Sequence, residues 1–308
     1  MTELNLPALP DVDTASDESG PSLATVTVRM TGAERLRSVG KQLLRRPTVV
    51  ISLVVVLLAL LAAAWPSLFT GVDPNATSPD KMFAPPGTGG YLLGSDAVGR
   101  DLLTRVVYGA RPSLEAACVA ILVSFLGGGL FGLLAGYFGG IVDATVMRIV
   151  DVILAFPALL FAMAIVAVVG SGPLKIAAAV GAVGIASMAR VMRSEVLRVR
   201  RQPYVEASSV SGARWWTVLR RHVLPNSIGP ITVLAAVEFG TTILSVSSLS
   251  FLGFGAPPPS PEWGALISDG RNYLVGAWWL CTIPGLVVAF VVLATNRISR
   301  ALEGELKA

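Results

Sequence analysis

The chain has 308 residues, of which 53% are hydrophobic and only 14% are charged, and its mean hydropathy is +0.69. A soluble domain usually carries about 25% charged residues, so this composition excludes an ordinary water-soluble globule. The apolar residues are also clustered, because five stretches of more than 20 residues contain at most one charge each. Such stretches are typical of membrane-spanning helices.

Residue types that several kinds of chemistry need are missing. Cys118 and Cys281 lie in apolar stretches, so neither a disulfide framework nor a cysteine-rich metal site is expected. His222 is the single histidine, which excludes a metal site built from two histidines. The sequence has no phosphate-loop motif, G-x-x-x-x-G-K-S/T, so we expect this chain to bind no ATP, metal or other cofactor of its own.

Six apolar runs are predicted to cross the membrane. Five of them reach the roughly 20 residues that are needed to cross about 30 Å of hydrocarbon. The fourth in chain order has 14 uncharged residues, and it becomes long enough if it starts near Gly170 and Lys175 extends to the interface. The predicted spans are Thr48–Phe69, Ala116–Val142, Val152–Leu174, Ile176–Ala189, Asn226–Ser250 and Asn272–Asn296.

The distribution of positive charge predicts the orientation. If Ile176–Ala189 spans, both termini lie on the same side as the basic segment Arg190–His222, and that side carries 18 of the 24 Lys and Arg residues. Without that span the basic segment would lie outside, against the excess of positive charge in cytoplasmic loops. We therefore predict an all-α polytopic membrane protein with six transmembrane helices and both termini cytoplasmic.

The segments around the spans differ in composition. Residues 1–28 are acidic, rich in Pro and Ser and without periodicity, which predicts a disordered tail. Residues 29–47 are basic with apolar residues at helical spacing, which predicts a cytoplasmic interfacial helix. Residues 48–300 form the predicted transmembrane domain, and residues 301–308 a cytoplasmic tail.

Two loops are predicted on the exterior side. Thr70–Pro112 is rich in Pro and Gly in its first half, and Asp101–Tyr108 in its second half is predicted to be a short helix. Phe251–Arg271 contains a proline-rich run, Pro257–Pro261. This run cannot be helical and is predicted to lie extended at the membrane surface.

The most informative segment is the predicted cytoplasmic loop at about residues 190–225. Pro203 is expected to end the preceding helix and to occupy the first turn of a short helix, Tyr204–Val210, which Gly212 stops. Glu206 lies where the helix dipole favours a carboxylate. A short helix between two breakers suits insertion into a partner's groove.

A second loop helix is predicted over Arg214–Leu224, before Pro225 begins the next span. From spacing alone, docking of a partner and a basic loop attracted to anionic lipid are equally good interpretations.

The residues themselves favour docking. Glu206-Ala207, Gly212 six positions after Glu206, and Leu224-Pro225 resemble the EAA loop of ABC-importer permeases, which inserts a coupling helix into a cleft on an ATPase subunit. Over roughly residues 48–300 the chain resembles the C-type permeases of the dipeptide/oligopeptide importer family. The resemblance is carried by residues 94–101, 108–111, 135–140, 147–157, 204–207, 221–226, 249–253, 257–258 and 263–264.

The resemblance implies a multi-pass permease subunit of a bacterial plasma membrane, without enzymatic activity of its own. It implies a heterodimer with a homologous permease, two P-loop ATPase subunits that use ATP and Mg, and an extracellular solute-binding protein that delivers a peptide. The chain is expected to contact membrane lipid and to bind no nucleic acid. Related permeases serve dipeptides, longer peptides, glutathione, nickel and haem, and the sequence does not choose among these cargoes.

Functional residues follow from the same resemblance. Glu206 is expected to transmit the coupling and Gly212 to fix the angle between the loop helices, while the arginines are either ATPase contacts or solvated charges. The full coupling set is Tyr204, Val205, Glu206, Ala207, Gly212, Arg214, Arg221 and Pro225. The exterior residues expected to face a solute-binding protein are Asp96, Arg100, Asp101 and Trp263.

Glu238 is the clearest ionisable residue inside a predicted span. A charge at that depth costs at least about 2.5 kcal/mol, so Glu238 is expected to face a cavity or a partner. Two interpretations are open: it lines the translocation path and attracts the amino terminus of a peptide, or it is a protonated or paired structural carboxyl.

Two further sets of residues lie within or beside the spans. Arg148 and Asp151 are three positions apart, on one helix face near the cytoplasmic mouth of the path, and an ion pair between them is favoured over a substrate contact. Gly128, Gly132 and Gly136 repeat every four positions, which predicts close packing against another helix.

Two other functions were weighed against the importer permease. An ion-coupled secondary transporter would use Glu238 as a proton carrier, but no repeat is evident between residues 48–170 and 176–296. An intramembrane enzyme lacks a candidate site, because the sequence has neither a histidine pair nor a G-x-S-x-G motif.

Overall fold

A computed structural model describes residues 47–307 of the chain. Within that range the regular elements are helices, and the extended pairing is an isolated bridge between Ser95 and Asp101. The predictions for residues 1–28 and 29–47 lie outside the described residues, apart from Pro47. The α-helices are α1 (Pro47–Ala64), α2 (Leu102–Phe138), α3 (Gly140–Ala155), α4 (Ala158–Val169), α5 (Pro173–Arg200), α6 (Pro203–Val210), α7 (Trp215–Val218), α8 (Leu224–Leu249), α9 (Trp263–Gly270) and α10 (Trp279–Lys307).

Several of these helices are long and apolar enough to cross a membrane. Among residues 47–307, α1, α2, α5, the continuous series from α7 to residue 254, and α10 meet this criterion, which makes five segments. The bent pair of α3 and α4 makes a sixth if it is counted as one span. The prediction of an all-helical polytopic protein is confirmed, while the assignment of the cytoplasmic side stays a prediction.

α2 is longer than the second predicted span. The Asp101 carboxylate caps it by accepting from two backbone N–H groups of the first turn, and the helix then runs for 37 residues through Pro112. Arg111 and Glu115 interrupt the apolar run, but they form an ion pair of 2.8 Å at i,i+4 spacing, which a helix accommodates. The short helix and the separate span predicted here are therefore one element.

A break at Phe156 and Pro157 divides the predicted third span. Phe156 has an extended ψ of 146°, as expected for the residue before a proline, and α3 and α4 are bent by 100° at this point. The continuous span predicted over Val152–Leu174 is therefore wrong. Glycines with positive φ at Gly170 and Gly172 then turn the chain into α5.

α2 and α5 pack against each other along most of their lengths, because glycines let their backbones approach. A Cβ atom on Gly132 would lie 2.4 Å from the carbonyl oxygen of Ala189, and one on Gly128 would lie 2.3 Å from the Cβ of Met188. Gly136 lies similarly close to α5. The predicted role of this glycine series in close packing is confirmed.

α7 and α8 join without a break. The predicted boundary at Pro225 is wrong, because the chain takes a π-helical turn over Leu219–Val223 and continues directly into α8. In a regular α-helix the ring of Pro225 would clash with the carbonyl group of Arg221. The wider π turn lies at this position, and such turns are inserted where a regular helix is obstructed.

The end of the bundle away from α6 contains more helix than predicted. Within the predicted loop Phe251–Arg271 the proline-rich run is irregular, and α9 occupies eight residues for which no helix was predicted. α10 continues to Lys307, so residues 301–307, predicted to be a tail, prolong the last helix.

Candidate functional site

α6 projects from one end of the bundle. Pro203 lies in its first turn, and Gly212 stops the chain beyond it with a left-handed φ of 82°, so both ends of the helix are fixed as the sequence predicts. Tyr204 and Glu206 are exposed, and Val210 is 85% exposed. Within residues 47–307 the Glu206 carboxylate has no hydrogen-bond or ion-pair partner.

Val205 anchors α6 to the rest of the bundle. It is 2% exposed and belongs to an apolar cluster that includes Leu133 of α2, Val199 of α5, Val218 of α7 and Ile231 of α8. One side of this short helix therefore faces the bundle, where α6 contacts α5 and α7, while the opposite side is free. A force applied to the free side would be transmitted first to α5 and α7.

The ends of α2 and α5 brace the start of α7. The Tyr137 hydroxyl donates to the carbonyl oxygen of Trp215 at 3.0 Å, and the rings of Phe138 and Trp215 lie 5.4 Å apart. Arg200 Nη1 donates to the carbonyl oxygen of Tyr137 at 2.6 Å. The start of α7, just after α6, is thus held by the end of α2, which Arg200 of α5 holds in turn.

The remaining residues of the predicted coupling set lie at the same end. Ala207, Arg214 and Arg221 are exposed, and neither guanidinium group has a partner among the described residues. Pro225 lies in the first turn of α8 and is exposed. The structure therefore brings all eight predicted residues to one end, with Val205 buried beneath the others.

Glu238 belongs to a polar face of α8. Glu238, Thr241, Ser245 and Ser248 follow one another at intervals of three and four positions, and each is exposed or half-buried. Thr241 donates to the carbonyl oxygen of Glu238 at 2.8 Å, and Ser245 to that of Thr241 at 3.0 Å. Each of these hydroxyls donates its hydrogen within the helix, which lets the face tolerate the membrane. Each hydroxyl oxygen can still accept a hydrogen bond from another polar group.

Asp151 pairs with α5 and not with its own helix. Its carboxylate lies 2.7 Å from Arg190 Nη2, so the ion pair predicted between Asp151 and Arg148 is corrected; Arg148 is exposed. Nearer to α6, Asp143 of α3 pairs with Arg193 of α5. Neither arginine was predicted to form an ion pair, because the partners lie 39 and 50 positions away in the sequence.

At the other end of the bundle, Asp96 organises the turn before α2. Its carboxylate accepts from two backbone N–H groups and from Arg100 Nε, the last at 2.6 Å. Arg105, which the sequence analysis did not single out, lies 3.7 Å from the same carboxylate, and its side chain is 3% exposed. Arg105 Nη1 also donates to the carbonyl oxygens of Pro74 and Pro259 at 3.3 Å each.

Two residues predicted to face a solute-binding protein have internal positions in this chain. Asp101 caps α2. Trp263 is 1% exposed; its Nε1 donates to the carbonyl oxygen of Val106 at 2.9 Å, and its backbone N–H to Ser113 Oγ at 3.1 Å. The prediction for Trp263 is therefore corrected: a buried indole cannot present itself to a partner, and it joins α9 to α2 instead.

Glu262 is a buried carboxyl at the start of α9. It is 2% exposed, and its Oε1 accepts from the backbone N–H of Gly264 at 3.2 Å. Oε2 has no hydrogen-bond partner among the described residues. Burial raises the pKa of Glu262 above its usual value, because the charged form is poorly solvated there.

Comparison with known proteins places this architecture in a family. A family model described as the binding-protein-dependent transport system inner membrane component matches residues 128–307, more than half of the chain. The chain therefore belongs to this family, whose members are membrane permease subunits of ABC transporters. The matched residues include α5, α6 and α8, which carry most of the site described above.

Curated relatives narrow the subfamily. The chain is 36% identical over 270 residues to the dipeptide transport system permease protein DppC of Alkalihalophilus pseudofirmus, covering 88% of each chain. It is 37% identical to the glutathione transport system permease protein GsiD of Pectobacterium atrosepticum, covering 88% of this chain and 90% of that one. It is also 36% identical to the probable D,D-dipeptide transport system permease protein DdpC of Escherichia coli, covering 81% and 84%.

The resemblance to the dipeptide/oligopeptide permeases is thereby confirmed, and the chain is a multi-pass bacterial membrane permease. A crystal structure of an amino acid ABC transporter with histidines has the same fold, with a TM-score of 0.51 and 16% identity over 65% of this chain and 92% of that chain. Neither the family nor these relatives support the alternative of an ion-coupled secondary transporter.

Proposed function

We propose that this chain is one of two permease subunits of an ATP-driven peptide importer. A homologous permease completes the membrane passage, two P-loop ATPase subunits hydrolyse ATP with Mg, and an extracellular solute-binding protein delivers the cargo. Peptide cargo is supported by the names of the relatives above, two of which are dipeptide permeases and the third a permease for glutathione, itself a small peptide.

The observation that carries the coupling role is the two-sided position of α6. Val205 is buried in an apolar cluster with residues of α2, α5, α7 and α8, whereas Glu206 is exposed and unpaired within the described residues. In the proposed mechanism an ATPase subunit binds the exposed side of α6, including Tyr204 and Ala207, together with Arg214 and Arg221 of the segment that follows it. Closure of the two ATPases then moves α6 as a rigid body, and α5 and α8 rock with it.

The polar face of α8 is the proposed wall of the translocation path. An apolar span that keeps a carboxyl and three hydroxyls uncovered by its own chain needs a partner or a water-filled cavity. Glu238 on this face would attract the amino terminus of a peptide. Asp151 and Arg148 of α3 would lie at the mouth of the path, with Asp151 acting through its pair with Arg190.

The end away from α6 is the proposed docking side for the solute-binding protein. Asp96 and Arg100 are partly exposed there and are the proposed contacts. Asp101 and Trp263 would act by positioning α2 and α9 beneath them.

The coupling role is tested with Glu206→Arg combined with Gly212→Pro in the assembly reconstituted in nanodiscs. The expected result is the loss of most of the ATPase stimulation by peptide-loaded binding protein, because the Glu206 carboxylate is replaced by a positive charge and proline cannot adopt the positive φ of Gly212. Arg300→Glu, an exposed charge change on α10 away from α6, is the control and should leave stimulation unchanged. Unimpaired stimulation in the double variant would contradict the coupling role.

The sidedness of α6 is tested separately with Ser209→Cys, at an exposed position of α6. In intact cells a membrane-impermeant maleimide should label this cysteine only after permeabilisation. Labelling without permeabilisation would place α6 outside, where no ATPase can reach it, and would contradict the proposal.

A further inference from the structure

The start of α2 lies outside the hydrocarbon layer. α2 has 37 residues and is therefore about 55 Å long, whereas the hydrocarbon core is about 30 Å thick. Arg105, Arg111 and Glu115 all lie in the first turns of α2, whereas residues 116–138 carry no charge, so we place the excess of about 25 Å at the start of the helix. We call the layer formed there by residues 65–116 and 251–278 the cap.

The composition of the cap interior agrees with this position. Ser95, Arg105, Ser113 and Glu262 are each no more than 2% exposed. Two of them, Arg105 and Glu262, are ionisable, and ionisable groups are costly within the hydrocarbon of a membrane.

A cavity of about 420 Å³ opens in the cap. Its walls include three arginines, Arg100, Arg105 and Arg271, and two carboxylates, Asp96 and Asp269. The volume is in the range of sites that hold small molecules. None of the residues on the polar face of α8 lines it, so it is separate from the proposed wall of the path.

Two of the arginines have donors to spare. Arg100 uses Nε on Asp96, and its two terminal nitrogens have no partner among the described residues. Arg271 lies with its guanidinium 5.5 Å from the ring centre of Phe251 and has no ion-pair or hydrogen-bond partner in residues 47–307. The buried Arg105 adds a third positive charge, and its Nε also lacks a hydrogen bond in the described part of the chain.

One carboxylate that lines the cavity is also unpaired. Asp96 is saturated by Arg100 and backbone donors, but Asp269 has no hydrogen-bond or ion-pair partner among the described residues. Asp269 lines both this cavity and a neighbouring one of about 290 Å³, which is walled by Ser171, Gly253 and Ser260 among others. The two cavities share Pro258, Ser268 and Asp269.

We propose that the cap cavity is a binding site for a small peptide with both ends free. The peptide carboxylate would bind the spare donors of Arg100 and Arg271, which form charge-assisted pairs with carboxylates. The peptide ammonium would bind Asp269. Arginines with spare donors and an unpaired carboxylate line the same cavity, as the two charged ends of one short peptide require. The inference rests on the proposed function and names a second place, outside the membrane, where the cargo is held.

A zwitterion fits this cavity better than a single acidic group does. An acidic side chain of a docked protein would pair with the arginines only and would leave Asp269 unpaired. A peptide with a free amino terminus pairs with both kinds of charge that line the cavity.

The test uses the assembled transporter in nanodiscs without its binding protein, and measures binding of dialanine by calorimetry. Dialanine amide, which lacks the carboxylate, and N-acetyl-dialanine, which lacks the ammonium, should each bind roughly tenfold or more weakly, the usual size of one charged hydrogen bond. Arg271→Gln should weaken dialanine binding to the same degree and leave the amide unaffected. Asp269→Asn should weaken dialanine binding by the same factor and leave the binding of N-acetyl-dialanine unaffected.

Lys81→Gln is the matched control. Lys81 lies in the cap with its ammonium 5.4 Å from the ring centre of Tyr91, a contact like that of Arg271, but it does not line the cavity. This variant should bind dialanine as the wild type does. Arg271→Lys should restore part of the affinity, and the thermal stability of each variant is measured to exclude unfolding.

The outcomes separate this inference from the proposed function. Equal affinity of dialanine and its blocked forms, or of Arg271→Gln and the wild type, would overturn the cap site. So would a loss of binding-protein affinity in Arg271→Gln with dialanine binding unchanged, because the arginines would then serve a protein carboxylate. Failure of the wild-type assembly to import peptide with ATP and the binding protein would instead contradict the proposed function.

Discussion

Asp143 of α3 and Arg193 of α5 form a two-pronged ion pair. Arg193 Nε donates to one carboxylate oxygen and Nη2 to the other, the latter at 2.6 Å. The side chains are 21% and 33% exposed, so the pair is partly shielded from water. Since α3 is largely exposed and bends sharply into α4, this fork and the neighbouring pair of Asp151 and Arg190 are polar attachments of α3 to the bundle.

Loss of the fork is expected to loosen α3. Arg193→Lys keeps the charge but cannot form two parallel hydrogen bonds, and we expect it to lower the free energy of unfolding by about 1–3 kcal/mol. Arg198→Lys is the control, because Arg198 is 59% exposed and pairs with Glu195 on the same helix, where such pairs contribute little. Chemical unfolding in detergent measures both. Equal stability of the two variants would contradict the role assigned to the fork.

The glycine series of α2 offers a second test of the bundle. Gly132→Ala places a Cβ 2.4 Å from the carbonyl oxygen of Ala189, so the helices must separate, at a cost typical of overpacking, about 1–3 kcal/mol. Gly129→Ala introduces the same group three residues away, where no heavy atom lies within 4 Å, and should be neutral or slightly stabilising. Thermal unfolding in detergent distinguishes them, and a neutral Gly132→Ala would show that this contact is not tight.

The places where the sequence predicts the fold share a physical cause. Pro203, Gly212 and the glycines of α2 act through backbone geometry that is local or repeats along one helix, so a single sequence displays it. Helix ends are different. An uncharged run indicates which residues lie in lipid, whereas the charged Arg111 and Glu115 interrupt such a run without ending α2.

The site residues divide in the same way. The exposed side of α6 could be predicted because its breakers and its carboxylate are neighbours in sequence. The partner of Asp151 could not, since Arg190 comes from another helix and nothing local distinguishes it from Arg148. Trp263 is likewise a tertiary outcome: its burial depends on Val106 and Ser113, more than 140 positions earlier.

Replacement of Glu238 tests the polar face of α8. Glu238→Gln keeps the shape and removes the charge, so we expect uptake of peptides with a free amino terminus to fall severalfold while assembly of the transporter is unchanged. Glu195→Gln, at a carboxylate on α5 paired with Arg198, serves as the control. Uptake and copurification of the subunits are measured together. If Glu238→Gln changes neither, the residue has no part in the path; if only assembly fails, its role is structural.

The buried carboxyl of Glu262 predicts a pH dependence of stability. Its pKa is raised in the folded chain by burial, so the folded state favours the protonated form relative to the unfolded state. The resulting stabilisation is fully present below the ordinary glutamate pKa of about 4.3 and is lost as the pH rises through the raised pKa. Glu262→Gln keeps a neutral acceptor for Gly264 and should remove this dependence. The unfolding free energy of the wild type, relative to that of Glu262→Gln, should therefore decrease as the pH is raised from 4 to 7.

The pH experiment has a control variant and a local reporter. Glu115→Gln removes a carboxylate that is 60% exposed and paired with Arg111, and its stability relative to the wild type should not reproduce this decrease. Trp263 is buried beside Glu262, so its fluorescence reports on unfolding of the cap. If the wild type gains stability relative to Glu262→Gln as the pH rises, the ionised carboxylate is the form that the cap prefers, and the backbone donors of α9 outweigh burial.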